Sequence, residues 1–421
     1  MTIAPASPTN QRLYVDNAAT SFPKPAEVTQ AMVHYATTIG ASAGRGAYHE
    51  AQESGRVLRE CRDKLNRLFH GECPDHFIFT LNCSDALNLA IQGWLNPGDH
   101  IITTAMDHNS VLRPINELAT RYGVRQTRVS VHPETCLVEP DEIAKAITPK
   151  TRMIAVCHGS NVTGTLQPIH QIGEIARQHG VAFLVDAAQT AGHLPINLQH
   201  DAIDFLAFPG HKGLMGPLGT GCLYIRPGLE KQLRTVRQGG TGSISEQDTQ
   251  PTFMPDRFEP GSHNAIGVAG LSAALDWISA KGIETLHGHQ QALSAEFCRR
   301  ARQIEALTFF GPQEACNRVA VFSIRIAGWD PVDLALALEG TFGILTRPGL
   351  HCAPWAHRAI RTHVPPAGCS GGNPGTTRLS FGAFNTLEDI ARCTTALETL
   401  AHQKRAADIN TLAPAHSHSN A

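Results

Sequence analysis

Seven short apolar runs lie between residues 76 and 225: HFIFT, HIITT, RQTRVSV, MIAVCH, AFLVDA, DFLAF and GCLYI. Most are separated by stretches whose apolar residues recur at helical spacing, such as SDALNLAIQGWL, Ser110–Tyr122, DEIAKAI and His170–His179. Strands parted by helices cannot pair as hairpins and must return by crossovers. The alternation therefore predicts an α/β fold with a mainly parallel, helix-covered sheet. Upstream, Tyr14 and Val15 begin a short strand, DNAATS is a polar turn, and Pro23 and Pro25 open a helix to about Thr38. SAGRGAYHE is a Gly-rich loop. After it, Val57, Leu58, Cys61, Leu65, Leu68 and Phe69 mark a long amphipathic helix.

From Leu233 to about Gly261 the chain is rich in Gly, Pro and polar residues and reads as a long connection, of the kind that usually serves function. A helix at Ala265–Ala280 then bridges to a different pattern. There, helices Gln290–Ala306, Pro331–Glu339 and Leu387–His402 alternate with strands VAVFSIRI, GILTRPG and TRLSF. The expected division is an arm at 1–20, a large domain at 21–264, a small α+β domain at 265–405 and a disordered tail at 406–421. With 421 residues, 42% of them hydrophobic, the chain has material for more than one core.

The bulk properties exclude several functions. A net charge of −2 gives no reason to expect nucleic acid or an anionic membrane as partner. No apolar run spans a bilayer, and MTIAPASPTNQ is no secretory signal. Eleven cysteines, an odd number without a CxxC pair, argue against a disulfide framework or a zinc ribbon and for a reducing cytoplasm. No metal site is expected.

Polar clusters follow the apolar runs, and in open α/β sheets ligands bind at the carboxyl ends of strands. AFLVDA delivers Asp186 and Gln189, and DFLAF delivers His211 and Lys212 ahead of the glycines of GPLGTG. A lysine amine forms a Schiff base with pyridoxal phosphate (PLP), and an acid keeps the pyridine nitrogen protonated. Taken singly, these residues read as a surface lysine and a helix-capping aspartate; the polar run H-K-G and the glycines of GPLGTG favour a cofactor loop. Asn82-Cys83-Ser84-Asp85 opens a helix, where backbone N–H groups and Ser84 suit a phosphate or simply cap the helix. His108 follows HIITT, and its imidazole suits stacking or proton transfer. Asn161 stands in a Gly-rich turn after MIAVCH. Cys352, beside His351, suits a thiolate nucleophile, and Arg347 and Arg378 at strand ends suit a carboxylate.

The co-linear set DHNSVLRP, SNVTGT, VDAAQTAGH, GHKGLMGPLGTG, RFEPGSHN and GLHCAPWAHR resembles the class V aminotransferase-like PLP enzymes. The likeness is strongest to the cysteine desulfurase and selenocysteine lyase group, and it runs from DNAATS to RLSFGAFNT. It implies PLP-dependent transferase fold type I, with a seven-stranded sheet in the large domain. It also implies the roles of individual residues. Lys212 would carry the cofactor, Asp186 would face its ring nitrogen, and His108 would stack on the ring. Gln189 and Asn161 would contact the ring hydroxyl and the substrate region. Cys83, Ser84 and His211 would surround the phosphate, with Ser262 reaching it from a second subunit of a homodimer. Arg378 would bind the substrate carboxylate, Asn17 and Ala19 would line the substrate pocket, and Cys352 would take sulfur as a persulfide.

The activity so implied is conversion of L-cysteine to alanine, the sulfur passing to an acceptor protein. Selenocysteine lyase, a cysteine C–S lyase and a non-catalytic scaffold are the rival readings. One departure stands out. Relatives carry a hydroxyl residue two positions before the His of the His-Lys pair, where this chain has Pro209, which offers neither hydroxyl nor N–H.

Overall fold

A computed structural model describes residues 12–44, 46–244, 246–367 and 372–412. In chain order the elements are β1 (Leu13–Tyr14), α1 (Ala26–His34), α2 (His49–Phe69), β2 (Phe77–Thr80), α3 (Cys83–Trp94), β3 (His100–Thr104), α4 (Asn109–Tyr122) and β4 (Arg125–Val129). There follow α5 (Pro140–Lys145), β5 (Thr151–Cys157), α6 (Ile169–Gln178), β6 (Ala182–Asp186), β7 (Phe205–Pro209) and β8 (Gly221–Ile225). The last third holds α7 (Ala265–Lys281), α8 (Ile283–Ala301), β9 (Leu307–Phe309), β10 (Val321–Ile326), α9 (Pro331–Phe342), β11 (Ile344–Leu345), β12 (Arg347–Gly349), α10 (Pro354–Ala359), β13 (Thr376–Ser380) and α11 (Leu387–Leu412).

The larger sheet has seven strands in the order β2-β8-β7-β6-β5-β3-β4. All neighbours are parallel except those of β8, which runs antiparallel to both β2 and β7. Strands β3, β6, β7 and β8 are buried at every position, because helices cover both faces. The period of two sorts their side chains between the layers. Phe183, Val185, Leu206 and Phe208 pack with α2, α6 and α7, while Leu184, Phe205 and Ala207 pack with α3 and α4.

The smaller sheet, β12-β13-β10-β9, is antiparallel and packs with α8, α9 and α11 around Phe297, Phe322 and Phe381. Helix α7 packs with α1 and α2, and its Val268, Leu271 and Leu275 lie in the larger sheet's core. Helix α8 follows after Gly282 and begins seven residues before the predicted Gln290. Short α10 occupies HCAPWAHR, where no element was expected. Among the described residues, 233–261 contains no helix or strand. Helix α11 continues past residue 405; the arm before residue 12 and the tail after 412 lie outside the described residues. No helix among the described residues is long and apolar enough to cross a membrane.

Candidate active site

Strands β5, β6 and β7 are parallel and end level. Cys157 pairs with Asp186, and Asp186 pairs with Ala207. The chain leaves β7 at Pro209 and turns through His211 and Lys212. This turn lies against the one that follows β6 because both backbones lack a side chain at the contact. A Cβ on Gly192, which has φ +82°, would meet Gly213 at 2.4 Å. The N-terminal segment holds the turn from the other side. Lys24 Nζ donates to the His211 carbonyl at 2.7 Å, and Ser21 Oγ donates to the Lys212 carbonyl at 2.9 Å.

Above this edge lies a cavity of about 560 Å³, counted out to its open mouth. Lys212, Asp186, Gln189 and His211 line it from β6 and β7, and His108, Asn161, Cys83 and Ser84 close it from the neighbouring elements. Pro209 lines it too, and so does Cys157, which the sequence reading did not select.

Burial dominates the electrostatics. It pushes the Lys212 amine below its ordinary range, and Cys83 and Asp186 only partly oppose this. Burial also lifts the Asp186 carboxyl, against the Ala188 N–H and Lys212. Asp186 Oδ1 accepts from Ala188 N–H at 2.9 Å and from the Cys83 thiol at 3.5 Å. Neither Asp186 Oδ2 nor Lys212 Nζ has a hydrogen-bond partner among the described residues. A buried carboxyl oxygen and a buried amine thus face one cavity, each free to bind.

Helix α3 opens at the other end of the cavity. Asn82 caps it by accepting the Asp85 N–H at 3.0 Å, so the N–H groups of Cys83 and Ser84 have no acceptor within the helix. His108 caps α4: its Nδ1 accepts the Ser110 N–H at 3.0 Å, which places the proton of the neutral ring on Nε2. Burial, then Lys212 and three arginines, lowers this imidazole to about 4. Ser110 Oγ lies 2.6 Å from Ser84 Oγ, joining the two helix starts. Gln189 Nε2 donates to the Ala18 carbonyl at 3.0 Å.

These groups suit a flat ring carrying an aldehyde, a protonated nitrogen and a phosphate. The amine fits the aldehyde, the carboxyl fits the nitrogen, and the open N–H groups of α3 fit the phosphate.

Cys352 and Arg378 are not among the cavity-lining residues; they connect to it through Asn161 and the start of α4. Asn161 Nδ2 donates to the His351 carbonyl at 2.6 Å, and Asn109 N–H donates to the Cys352 carbonyl at 2.8 Å. Both residues of this loop have left-handed backbones, with φ +49° and +57°. Cys352 itself is exposed. Arg378 is buried; Nη2 pairs with Asp16 Oδ1 at 2.7 Å, Nη1 donates to the Asn161 carbonyl at 3.1 Å, and Nε has no partner. Arg347 lies directly opposite Arg378 across β12 and β13.

Asn17 is engaged internally: its amide donates to Ser380 and Asn385 and accepts from Phe22. Neither Asn17 nor Ala19 is among the cavity-lining residues. Ser262 is exposed and lines a separate pocket with Arg237, Glu259 and Leu81. Sequence reading missed Asp16 and Lys24 as site residues. Both lie in YVDNAATSFPKP, whose two prolines and polar turn were the available signal.

Residues 13–393 match the family model for class-V aminotransferases. The chain is 34% identical to a probable cysteine desulfurase of Methanothermobacter thermautotrophicus, over 92% of this chain and 94% of that one. It is 30% identical to a cysteine desulfurase of Escherichia coli O157:H7, over 92% and 93%. Among solved structures it is similar to a cysteine desulfurase from Thermococcus onnurineus NA1. That likeness has a TM-score of 0.85 at 31% identity, covering 93% of this chain and 95% of the other.

Proposed function

The chain belongs to the class-V aminotransferase family, and on that footing we propose that it is a PLP-dependent cysteine desulfurase. One observation carries the reading: Lys212 and Asp186, buried and each with a free polar atom, share one cavity at the ends of two adjacent strands. Bound PLP supplies an electron sink for the substrate's α-carbon.

The residues that would hold it are these. Lys212 Nζ would bind the aldehyde, Asp186 Oδ2 the ring nitrogen, and His108 the ring face. Gln189 and Asn161 would bind the ring hydroxyl and the nearby substrate. Ser84, Cys83 and His211, with the open end of α3, would bind the phosphate. Pro209 adds no donor there. Arg378 and Arg347 would hold the substrate carboxylate near Asn17 and Ala19; the unpartnered Nε of Arg378 leaves one donor for it.

Burial shifts Lys212 toward its neutral form, the form in which its Nζ would accept the substrate's α-proton. The Cys352 thiolate then attacks the substrate sulfur. A bond forms between Sγ and that sulfur, the carbon–sulfur bond breaks, and its electron pair stays on carbon. Protonation of that carbon and return of a proton from Lys212 to the α-carbon yield alanine, and Cys352 is left as a persulfide. His108, neutral with its proton on Nε2, is placed to move protons at the cavity mouth.

The test is product analysis after incubation with L-cysteine, PLP and a reductant. Alanine supports the reading, and pyruvate would replace it with β-elimination. Cys352→Ala should lose at least about a hundredfold in alanine formation, in line with removal of a nucleophile. Full turnover in that variant refutes the assignment of Cys352.

The same reading includes a homodimer in which Ser262 of one subunit approaches the other's phosphate site. Ser262 is exposed, exposed Leu81 lines its pocket, and Leu218 and Ile266, close in sequence to other lining residues, are exposed as well. It also includes a large unit and a smaller one, meeting where α7 gives way to α8, and a reducing cytoplasm. All ten described cysteines are free thiols.

A further inference from the structure

Cys352 is exposed, and cationic side chains stand on the elements that hold it. Trp355, three residues on, is 37% exposed and lies between two guanidinium groups. Arg128 Cζ is 3.9 Å from its ring centroid and Arg358 Cζ is 4.6 Å away. Arg113 is exposed on α4, one turn beyond Asn109, whose N–H holds the Cys352 carbonyl.

No carboxylate lies within ion-pairing distance of Arg113, Arg128 or Arg358 among the described residues. Other exposed arginines divide: Arg12, Arg226 and Arg302 are paired with Glu339, Asp204 and Glu314, while Arg59, Arg67, Arg125, Arg152 and Arg361 are exposed without an ion pair among the described residues. The nearby acids are otherwise placed. Glu117 pairs with Arg121, and Asp107 is buried beneath Arg128 with its carboxyl raised by burial to about 7. Glu134 and Glu314 line a different groove, with Arg361.

We propose that this arginine group selects the sulfur acceptor: a protein thiol set in an acidic surface, its carboxylates seated on Arg113, Arg128 and Arg358. The inference rests on the desulfurase reading of Cys352. Tryptophan flanked by arginine is the composition of interface hot spots, and the half-exposed indole offers a large flat contact that a small thiol does not need. The transfer balances without a further reagent. The acceptor thiolate attacks the outer sulfur of the Cys352 persulfide, a new S–S bond forms, and Cys352 Sγ departs as thiolate with the bonding pair. The acceptor then carries the persulfide. Complementary charge raises the encounter rate and is screened by salt.

The experiment uses the PLP-loaded protein charged with L-cysteine. Discharge is followed with three acceptors: a synthetic cysteine peptide flanked by Asp and Glu, the same peptide flanked by Lys, and mercaptosuccinate. The acidic peptide should react roughly tenfold faster than the lysine peptide in low salt, and the ratio should shrink toward one in about 0.5 M salt. Arg128→Gln with Arg358→Gln, and separately Arg113→Gln, should lower the ratio while alanine formation with a neutral reductant stays unchanged.

Equal peptide rates overturn the proposal, and mercaptosuccinate matching the acidic peptide overturns its protein partner. A second measurement does not depend on desulfurase activity. Cys352 labelling by an anionic and a cationic methanethiosulfonate, read by peptide mass, should favour the anionic reagent; a ratio near one removes the role of the arginines. Absence of alanine in the first experiment would instead remove the desulfurase reading.

Discussion

Lys212 combines three features that its neighbours in sequence do not: burial, an unpartnered amine, and a turn clamped by Ser21 and Lys24. Lys212→Ala is expected to bind PLP without the visible absorption band of a protonated imine, and borohydride should fix no cofactor to it. An unchanged band in that variant would place the amine elsewhere. Asp186→Asn should keep the band but lose about two orders of magnitude in turnover, because an amide does not hold a ring nitrogen protonated.

At this scale much could be read directly. Lys212, Asp186, Gln189, His211, His108, Asn161, Cys83 and Ser84 each follow an apolar strand within a few residues, and strand order brings them to one cavity. What escaped depends on distant pairing. Arg378 and Asp16 are 362 positions apart, and nothing local marks their contact. Trp355 between Arg128 and Arg358 is likewise invisible until β4 and α10 are set side by side.

Among the elements, the connection between β8 and α7 has little regular structure and is held by side chains, Arg234 and Arg237 to α3 and its flanks and Glu259 most deeply. Glu259 is buried; it pairs with Arg62 of α2, accepts the Phe79 N–H of β2 at 2.6 Å and accepts from His263 at 2.6 Å. Burial alone would raise this carboxyl, but Arg62 and His263 outweigh it and hold it below the ordinary range. Glu259→Gln leaves Arg62 buried beside a neutral amide. It should cost about 3–5 kcal/mol in urea unfolding, the usual penalty for breaking a buried pair from one side. A loss below about 1 kcal/mol would show that the anchor is dispensable.

The alternation of apolar runs and amphipathic helices located the larger sheet's elements to within a few residues, because a buried parallel strand is apolar throughout. It was less informative about α8 and α10. The first turns of α8, IETLHGH, are polar and half-exposed, and α10 contains only six residues with one proline, so neither shows a helical stripe. The antiparallel setting of β8 was also hidden, since burial on both faces erases the difference between the two directions.

Across the whole molecule, burial lowers eight imidazoles of the described residues, His100, His287 and His351 among them. His108, His158, His193, His211 and His357 are all lowered to about 4. The unfolded chain binds protons at these sites between about pH 6.5 and pH 4, and the folded chain does not. Stability therefore falls as pH is lowered through that window. Each unit of separation is worth about 1.4 kcal/mol per group, so a fully buried imidazole such as His158 costs on the order of 2 kcal/mol by pH 5. Asp107 and Asp186 act in the opposite sense, two carboxyls against eight imidazoles. The urea midpoint should drop clearly between pH 7 and pH 5; a flat profile would mean that the imidazoles are hydrated. Sedimentation should give about twice 45.3 kDa, and a species of 45.3 kDa at micromolar concentration would argue against the dimer.

The left-handed pair at His351 and Cys352, tied by its carbonyls to Asn161 and Asn109, has a kinetic corollary. With both carbonyls so held, rotation about the Cα–Cβ bond moves the sulfur without any change of backbone, a matter of picoseconds to nanoseconds. The Asn109 amide should accordingly resist deuterium uptake throughout turnover, and the pace of sulfur delivery would be governed by arrival of the acceptor.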